Sequence, residues 1–309
     1  MGLGSDLHRV WTKELIEESG ISNGYSECGG LYVARSPGEK AALQGQLLNW
    51  DQYEIEYRRL NSVVELGYAS ALDLGGSDLL VSVPGESQIC NPDHLKGLIA
   101  ACRNRGVDLI ESSAVDFRLQ GDGVVANHFA EGFEQVCFCA GAWTSQLMQQ
   151  LGIRVPLIPV RGQMLLFKLE TQIFEPIINE GSRYVVPRND GFVLVGSTTE
   201  EIGFDESTTE EKLGELMQFA KSLVPALNEN ALVKSWAGLR PASHDGFPFM
   251  GSLPGTGNGF VATGHFKAGL QMSPAVAVIM ADLVEGKKTI MNVSPFNPGR
   301  LDLSDSLRA

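Results

Sequence analysis

A buried strand that runs straight into a glycine turn and then into an apolar helix constrains this chain more than any other feature. Residues 259–286 read GFVATGHFKAGLQMSPAVAVIMADLVEG. Phe260–Thr263 predicts a short buried strand, Gly264–Gly269 the turn, and residues from about Leu270 or Ser273 to Glu285 a helix stopped by Gly286. A second segment carries the complementary order. Asn91–Pro92 starts a helix, with Asn as N-cap and Pro at the first helical position. Leu95, Leu98, Ile99 and Cys102 form its stripe, Gly106 closes it, and Val107–Glu111 reads as a strand. Helix, glycine turn and apolar strand make the αβ half of a parallel-sheet unit, so an α/β domain is expected.

The other stretches add sheet of a different kind. Leu7, Val10, Trp11 and Leu15 recur at helical spacing up to Gly20, so the chain opens on an amphipathic helix. No strand followed by G-x-G-x-x-G precedes that helix, and the Gly2–Gly4 pair therefore fails the dinucleotide fingerprint. Residues 28–34 read as a strand, 38–50 and 53–66 as helix-like, and 79–83 as a strand. Val115–Leu119, Val124–Phe129 and Phe133–Cys139 read as a meander turning at Gly121–Gly123. Its last strand enters Ala140-Gly141-Ala142-Trp143 and a helix from about Thr144, a join where backbone N–H groups can meet a phosphate or ribose. A strand lies within 158–169, and Arg183–Pro187 and Phe192–Gly196 flank an Asp-Gly hairpin turn. Two overlapping capping-box spacings in Ser207–Glu211 start a helix with the stripe Leu213, Leu216, Met217, Ala220 and Leu223. The acidic cluster Glu200, Glu201, Asp205 and Glu206 is expected to be a solvated loop.

At 309 residues and 43% hydrophobic, one large or two medium domains are expected. A net charge of -13 argues against nucleic-acid or anionic-membrane partners, though not against a small anion. No leader-like start and no run of about 18 apolar residues occurs, so a cytoplasmic, soluble protein is expected. The five cysteines include no C-x-x-C. Cys137 and Cys139 are read as small core thiols on one strand face; no metal site is expected, and a reducing compartment fits.

SWAGLRPASHDGFPFMG, residues 235–251, sets Arg240 between a glycine turn at Gly238 and two prolines, Pro241 and Pro248. A guanidinium held there suits the two-point grip of a carboxylate. With the glycine-rich 259–269 it looks like the end of a nucleotide-cofactor domain with a substrate anchor beside it. His244 and Asp245 adjoin, but no Ser or Cys motif supports a triad.

RYVVPRNDGFVLVGSTTEEIGFD, SWAGLRPASHDGFPFMG and GHFKAGLQMSPAVA, in this order and spacing, resemble the glycine oxidase and D-amino-acid oxidase family of flavoenzymes. NPDHLKGLIAAC, VCFCAGAWTSQL and PLIPVRGQML add to the match, which covers the chain from about Ile21 onward. The resemblance implies an α/β, Rossmann-like FAD-binding domain, lacking its first βαβ unit here, and an α+β substrate domain with an antiparallel sheet. Residues 1–21, 85–158 and 236–309 would form the first, and 22–84 and 159–235 the second. It also implies oxidation of glycine, another small amino acid or a secondary amine by FAD and dioxygen, with a place in thiamine biosynthesis and possible homo-oligomers. A dehydrogenase or sarcosine-type amine oxidase of the same fold stays open, as does, in another class, a cofactor-free fragment or binding module.

The resemblance implies roles for individual residues. Arg240 would anchor the substrate carboxylate and Tyr184 would donate to it. Lys267 stands where the family pattern GHFRNG has Arg, keeping the charge without the fork. Val115, Ala140, Gly141 and Gly238 would meet FAD, as would Gly264, His265, Phe266, Lys267, Ala268, Gly269 and Leu270.

Overall fold

The structure is a computed structural model in which residues 2–301, other than 69, 128, 130 and 131, are described. In chain order the elements are α1 (Leu3–Ser19), β1 (Gly30–Ala34), α2 (Pro37–Gln52), β2 (Arg58–Leu60), β3 (Leu79–Val83) and α3 (Asn91–Asn104). Then come β4 (Phe117–Gln120), β5 (Gly123–Ala126), β6 (Val136–Phe138), α4 (Thr144–Gln150), β7 (Leu157–Lys168), β8 (Ile177–Glu180), β9 (Arg183–Pro187) and β10 (Phe192–Gly196). The last are α5 (Glu210–Leu223), β11 (Leu232–Ser243), β12 (Phe249–Ser252), β13 (Gly259–Thr263) and α6 (Gly269–Val284).

Eight strands form one sheet in the order β11-β7-β10-β9-β8-β1-β3-β2, antiparallel except for the β1–β8 pair. The apolar stripe of α5 packs on it: Leu216, Phe219, Ala220 and Leu223 meet Leu165, Phe167, Val185, Val193 and Val195 in a core closed by Phe174 and Leu227. On another part of the sheet Leu43, Leu47 and Trp50 of α2 pack with Ala34, Val81 and Val83. Ser36 and Glu39 start α2 with a reciprocal capping box, which satisfies two of its free amides.

The second sheet is β12-β13-β6, with β13 antiparallel to β12 and parallel to β6. Phe138, Met148, Leu151, Phe249 and Val261 make the core on one side, and Met250, Phe260, Val276 and Met280 bring α6 onto the sheet. The segment Phe266–Val284 is long and apolar enough to cross a membrane by length and composition; its Pro274, Val276, Ile279 and Met280 are buried, and 17% of its 18-residue apolar window is buried in all. Helix α1 packs on α6 at Gly4, where a side chain would collide with the Gln271 carbonyl, and His8 Nε2 lies 2.8 Å from the Leu270 carbonyl oxygen.

The structure departs from several sequence expectations. Val107–Glu111 forms no strand, and Val107, Leu109 and Ile110 are exposed: strand character needs a neighbouring ladder, and none lies there among the described residues. The third strand of the expected meander leaves the β4–β5 hairpin and pairs with β13. Asn91 is the first residue of α3, and Cys90 takes the cap position without a side-chain bond. Residues 53–66 hold a short strand and one 3-10 turn in place of a helix. Cys137 and Cys139 are exposed, because among the described residues β6 pairs on one side only and nothing covers the face they share.

Candidate active site

Strands β6 and β13 are parallel neighbours, so their carboxyl ends open onto the same side. Each is followed by a glycine with positive φ, 56° at Gly141 and 82° at Gly264, and then by a short 3-10 turn, Gly141–Trp143 or Phe266–Ala268. Thr263 Oγ1 donates to the Gly141 carbonyl at 3.0 Å and ties the two turns together. Neither turn, nor the start of α4 or α6, has a side-chain cap. The Trp143, Thr144 and Ala268 amides bond back to the Ala140, Gly141 and His265 carbonyls, so no side chain closes either turn, and the crevice beyond the carboxyl ends of parallel strands is where α/β folds place ligands.

Strands β7 and β11 run antiparallel over Leu157–Lys168 and Leu232–Ser243 and abut this crevice, since Ala242 bridges His265. Gly238 does not turn. It sits mid-strand opposite Gly162, and Pro241 faces Pro159. Proline is tolerated because β11 is an edge strand and neither residue needs to donate. What holds Arg240 is pairing and packing. Its guanidinium lies over Gly162, where a methyl group would overlap it. Nη2 donates to Ser197 Oγ at 2.6 Å and Nη1 to the Thr198 carbonyl at 3.2 Å.

Both partners of Arg240 are neutral, and no ion pair to it or to Lys267 occurs among the described residues. Partial burial and the nearby Arg240 charge push the Lys267 pKa down, so the two cations feel each other directly. Two cations whose fields overlap attract an anion. Tyr184 lies on β9 opposite Gly196, the residue before Ser197, and among the described residues its hydroxyl has only the weak acceptor Met164 Sδ at 3.6 Å. The phenol therefore keeps its donor for another acceptor near the same turn.

Sequence reasoning missed the support under Arg240. Glu200 was expected in a solvated loop, yet it organises the turn. Thr198 Oγ1 donates to Glu200 Oε1 at 2.6 Å, Gln163 Nε2 to the same oxygen at 3.0 Å, and buried Arg161 to Oε2 at 2.8 Å. Arg161 Nη1 also donates to Asp205 Oδ2 at 2.9 Å and to the Ser207 carbonyl at 2.8 Å. Burial works against ionisation of Glu200, but the hydrogen bonds from Arg161, Thr198 and Gln163 outweigh it and hold the pKa below its ordinary value. An Arg-Gly-Gln triplet on an apolar strand was the available signal. Ion pairs across 39 positions leave no local pattern.

The other candidates are placed as follows. His265 is half-buried with no partner for Nε2, and burial pushes its pKa down, so a neutral imidazole faces the crevice turn. Phe266 takes φ 48°, and Ala268, Gly269 and Leu270 lead into α6. Open space lies beside Gly141 and Gly238 where a side chain would stand. Val115 is half-buried in the segment before β4. Ala140 links β6 to its turn. Asp245 is bound to Arg300, which excludes it from any dyad with His244. No cluster of three metal-ligating side chains occurs among the described residues. The uncapped turns, the open glycines and the unpartnered His265 nitrogen fit the ring end of a flavin. No strand followed by G-x-G-x-x-G occurs among the described residues to receive a diphosphate.

The chain is 34% identical over 304 residues to glycine oxidase of Pseudomonas aeruginosa, covering 96% of this chain and 81% of that one. It is 28% identical over 292 residues to glycine oxidase of Geobacillus kaustophilus, covering 92% and 77%. The crystal structure of the latter superposes with a TM-score of 0.90 over 96% of this chain and 81% of that chain. Iminodiacetate oxidase from Chelativorans, 23% identical with a TM-score of 0.85 over 96% and 82%, shares the fold. The sequence profile described as DAO, FAD dependent oxidoreductase, matches residues 1–283. The chain belongs to the DAO family of FAD-dependent oxidoreductases.

Proposed function

We propose that this chain oxidises glycine or another small amino acid or secondary amine, gripping the substrate carboxylate between Arg240 and Lys267. The observation that carries the reading is a pair of cations without an acidic partner among the described residues, beside a crevice whose uncapped turns and open glycines suit a flavin ring. The names of the relatives, glycine oxidases from Pseudomonas and Geobacillus, support the substrate class.

Bound FAD supplies the hydride acceptor. The protein's own share is orientation. Arg240 offers two N–H groups to a carboxylate, and its rotamer is set beforehand by Ser197 and Thr198. Tyr184 adds a hydroxyl donor from β9. Lys267 adds charge without a fork, which grips less directionally and tolerates a wider set of amines. No side chain in the crevice is placed as a strong base, since burial keeps His265 neutral and its Nε2 has no partner. Holding the Cα–H toward the acceptor and excluding water is the work left to the site. The products would be the 2-oxo acid and ammonia, or a primary amine from a secondary one, formed by hydrolysis of the imine, with dioxygen reduced to hydrogen peroxide.

The test is peroxide formation by the FAD-loaded protein with glycine, sarcosine and D-alanine, repeated with Arg240→Ala. The expected result is turnover with a steep rise in KM for the variant. Unchanged KM for a carboxylated substrate overturns the anchor, and absence of flavin uptake overturns the oxidase reading for this chain.

A further inference from the structure

The face of the eight-stranded sheet that carries Arg240 sets glycines around one methionine. Leu165 and Phe167 of β7 enter the core under α5, so Gly162 and Met164 belong to the opposite face. Residues opposite each other in an antiparallel ladder share a face. Trp236 and Gly238 of β11, Gly196 of β10 and Tyr184 of β9 therefore lie there too. Across the strands one row runs Trp236, Met164, Gly196, Tyr184, and in the next row Gly238 faces Gly162. Arg240 folds its guanidinium over Gly162.

Met164 is 8% exposed and is held in one place. A methyl group on Gly196 would come within 2.5 Å of its Sδ, 2.6 Å of its Cε and 2.9 Å of Tyr184 Cζ. The Tyr184 hydroxyl meets the same sulfur at 3.6 Å. The thioether thus lies over Gly196 and against the phenol, one step along β7 from the guanidinium. An unbranched thioether fills an irregular gap well, and it brings no charge and no donor. What it contributes to this face is volume.

We propose that Met164 sets the size limit of the substrate, as the apolar floor beneath its α-carbon. The proposal rests on the reading of Arg240 as the carboxylate anchor. A carboxylate that takes N–H groups from Arg240 over Gly162 and a hydroxyl from Tyr184 over Gly196 spans the interval between those glycines, and the atom attached to it meets Met164. The side chain cannot retreat, because the Gly196 backbone lies beneath it, with Tyr184 on one side and Trp236 in register on the other. Gly162 gives the depth that the carboxylate needs, and Met164 takes that depth away where a substituent would go. One methylene group more or less in such a pocket changes selectivity by about 10- to 200-fold.

The test is calorimetric binding of acetate and trimethylacetate to the FAD-loaded protein and to Met164→Leu, Met164→Val and Met164→Ala. Both probes have a carboxylate and no amine, so neither is turned over, and they differ in bulk at the α-carbon. The unmodified protein is expected to prefer acetate by at least about tenfold. Met164→Leu conserves volume without the sulfur and keeps that preference. Met164→Val, one heavy atom smaller, narrows it by about fourfold, the worth of one buried methylene group. Met164→Ala narrows it by at least about tenfold. Trimethylacetate binding to the unmodified protein as tightly as acetate overturns the proposal. So does narrowing below about twofold in Met164→Val, which decides the matter if Met164→Ala does not fold. Loss of the preference in Met164→Leu also overturns it, since the effect then belongs to sulfur and not to bulk. Failure of the unmodified protein to bind acetate at all is a different result: it removes the Arg240 anchor, and the size limit with it.

Discussion

Gly162→Ala isolates the position of Arg240 from its charge. An alanine methyl group would occupy the space now held by the Arg240 guanidinium, which must leave Ser197 Oγ and the Thr198 carbonyl to make room. The displaced atoms are the tip of a flexible side chain, so the fold absorbs the change and the melting temperature is expected to stay within about 2 °C. The anchor does not survive intact. A charged hydrogen bond contributes about 1.5–3 kcal/mol. Losing one of the two that a fork gives a carboxylate weakens binding by about 10- to 150-fold. KM for glycine in the FAD-loaded protein reads this, with kcat changed less. Calorimetric binding of acetate, which has a carboxylate and no amine, reads it without turnover. The reasoning fails if Gly162→Ala binds acetate within twofold of the unmodified protein while Arg240→Ala does not bind it. In that case the guanidinium needs no fixed place over Gly162. If both variants bind as before, Arg240 is not the anchor.

Three further outcomes are expected. Tyr184→Phe removes one neutral donor and should weaken acetate binding by about 1 kcal/mol, or roughly fivefold, without changing the melting temperature; no change in affinity removes Tyr184 from the site. Thr198→Val leaves the Gln163 amide and a Glu200 oxygen without their 2.8 Å and 2.6 Å partners, a cost of about 1–3 kcal/mol, or about 2–10 °C in melting temperature. A shift below 1 °C would show the network to be slack. Glu86 is pushed up by burial against the opposing hydrogen bonds of Asn179 and Tyr32. Its contribution to stability is full below the ordinary value of 4.5 and is lost as pH rises through the raised folded value. Glu86→Gln is therefore expected to be more stable than the parent to urea at pH 8 and equal to it near pH 4; a gap independent of pH refutes the assignment.

What the sequence disclosed follows the range over which each signal acts. The helix over 210–223, the hairpin of β9 and β10, and the β13–turn–α6 succession were legible because periodicity, Asp-Gly and glycine punctuation are local. The placement of Arg240 was read from a glycine turn and two prolines, and that needed correction: Gly238 and Pro241 sit in a paired strand and no turn holds the side chain. Val107–Glu111 was misread because its alternation promises a strand only where a neighbour supplies the ladder. Cys137 and Cys139 were misread for the same cause, since a strand's apolar face is core only when something covers it. The Glu200–Arg161 pair was hidden by sequence distance, and its acidic neighbourhood reads as solvent-facing until the fold closes over it.

The close fit of α1 against α6 carries a consequence for synthesis. His8 and Leu270 touch across 262 positions, and Gly4 admits the Gln271 backbone at contact distance. A ribosome emits α1 long before α6. At roughly 5–20 residues per second, the buried side of α1 waits about 13–50 s for its partner. The eight-stranded sheet, complete once β11 has emerged, can settle in that interval. Leu15 meets Gly97 of α3 early in that interval, but the side of α1 that carries Gly4 and His8 has no native cover until α6 emerges, and a nascent-chain chaperone has its longest opportunity there.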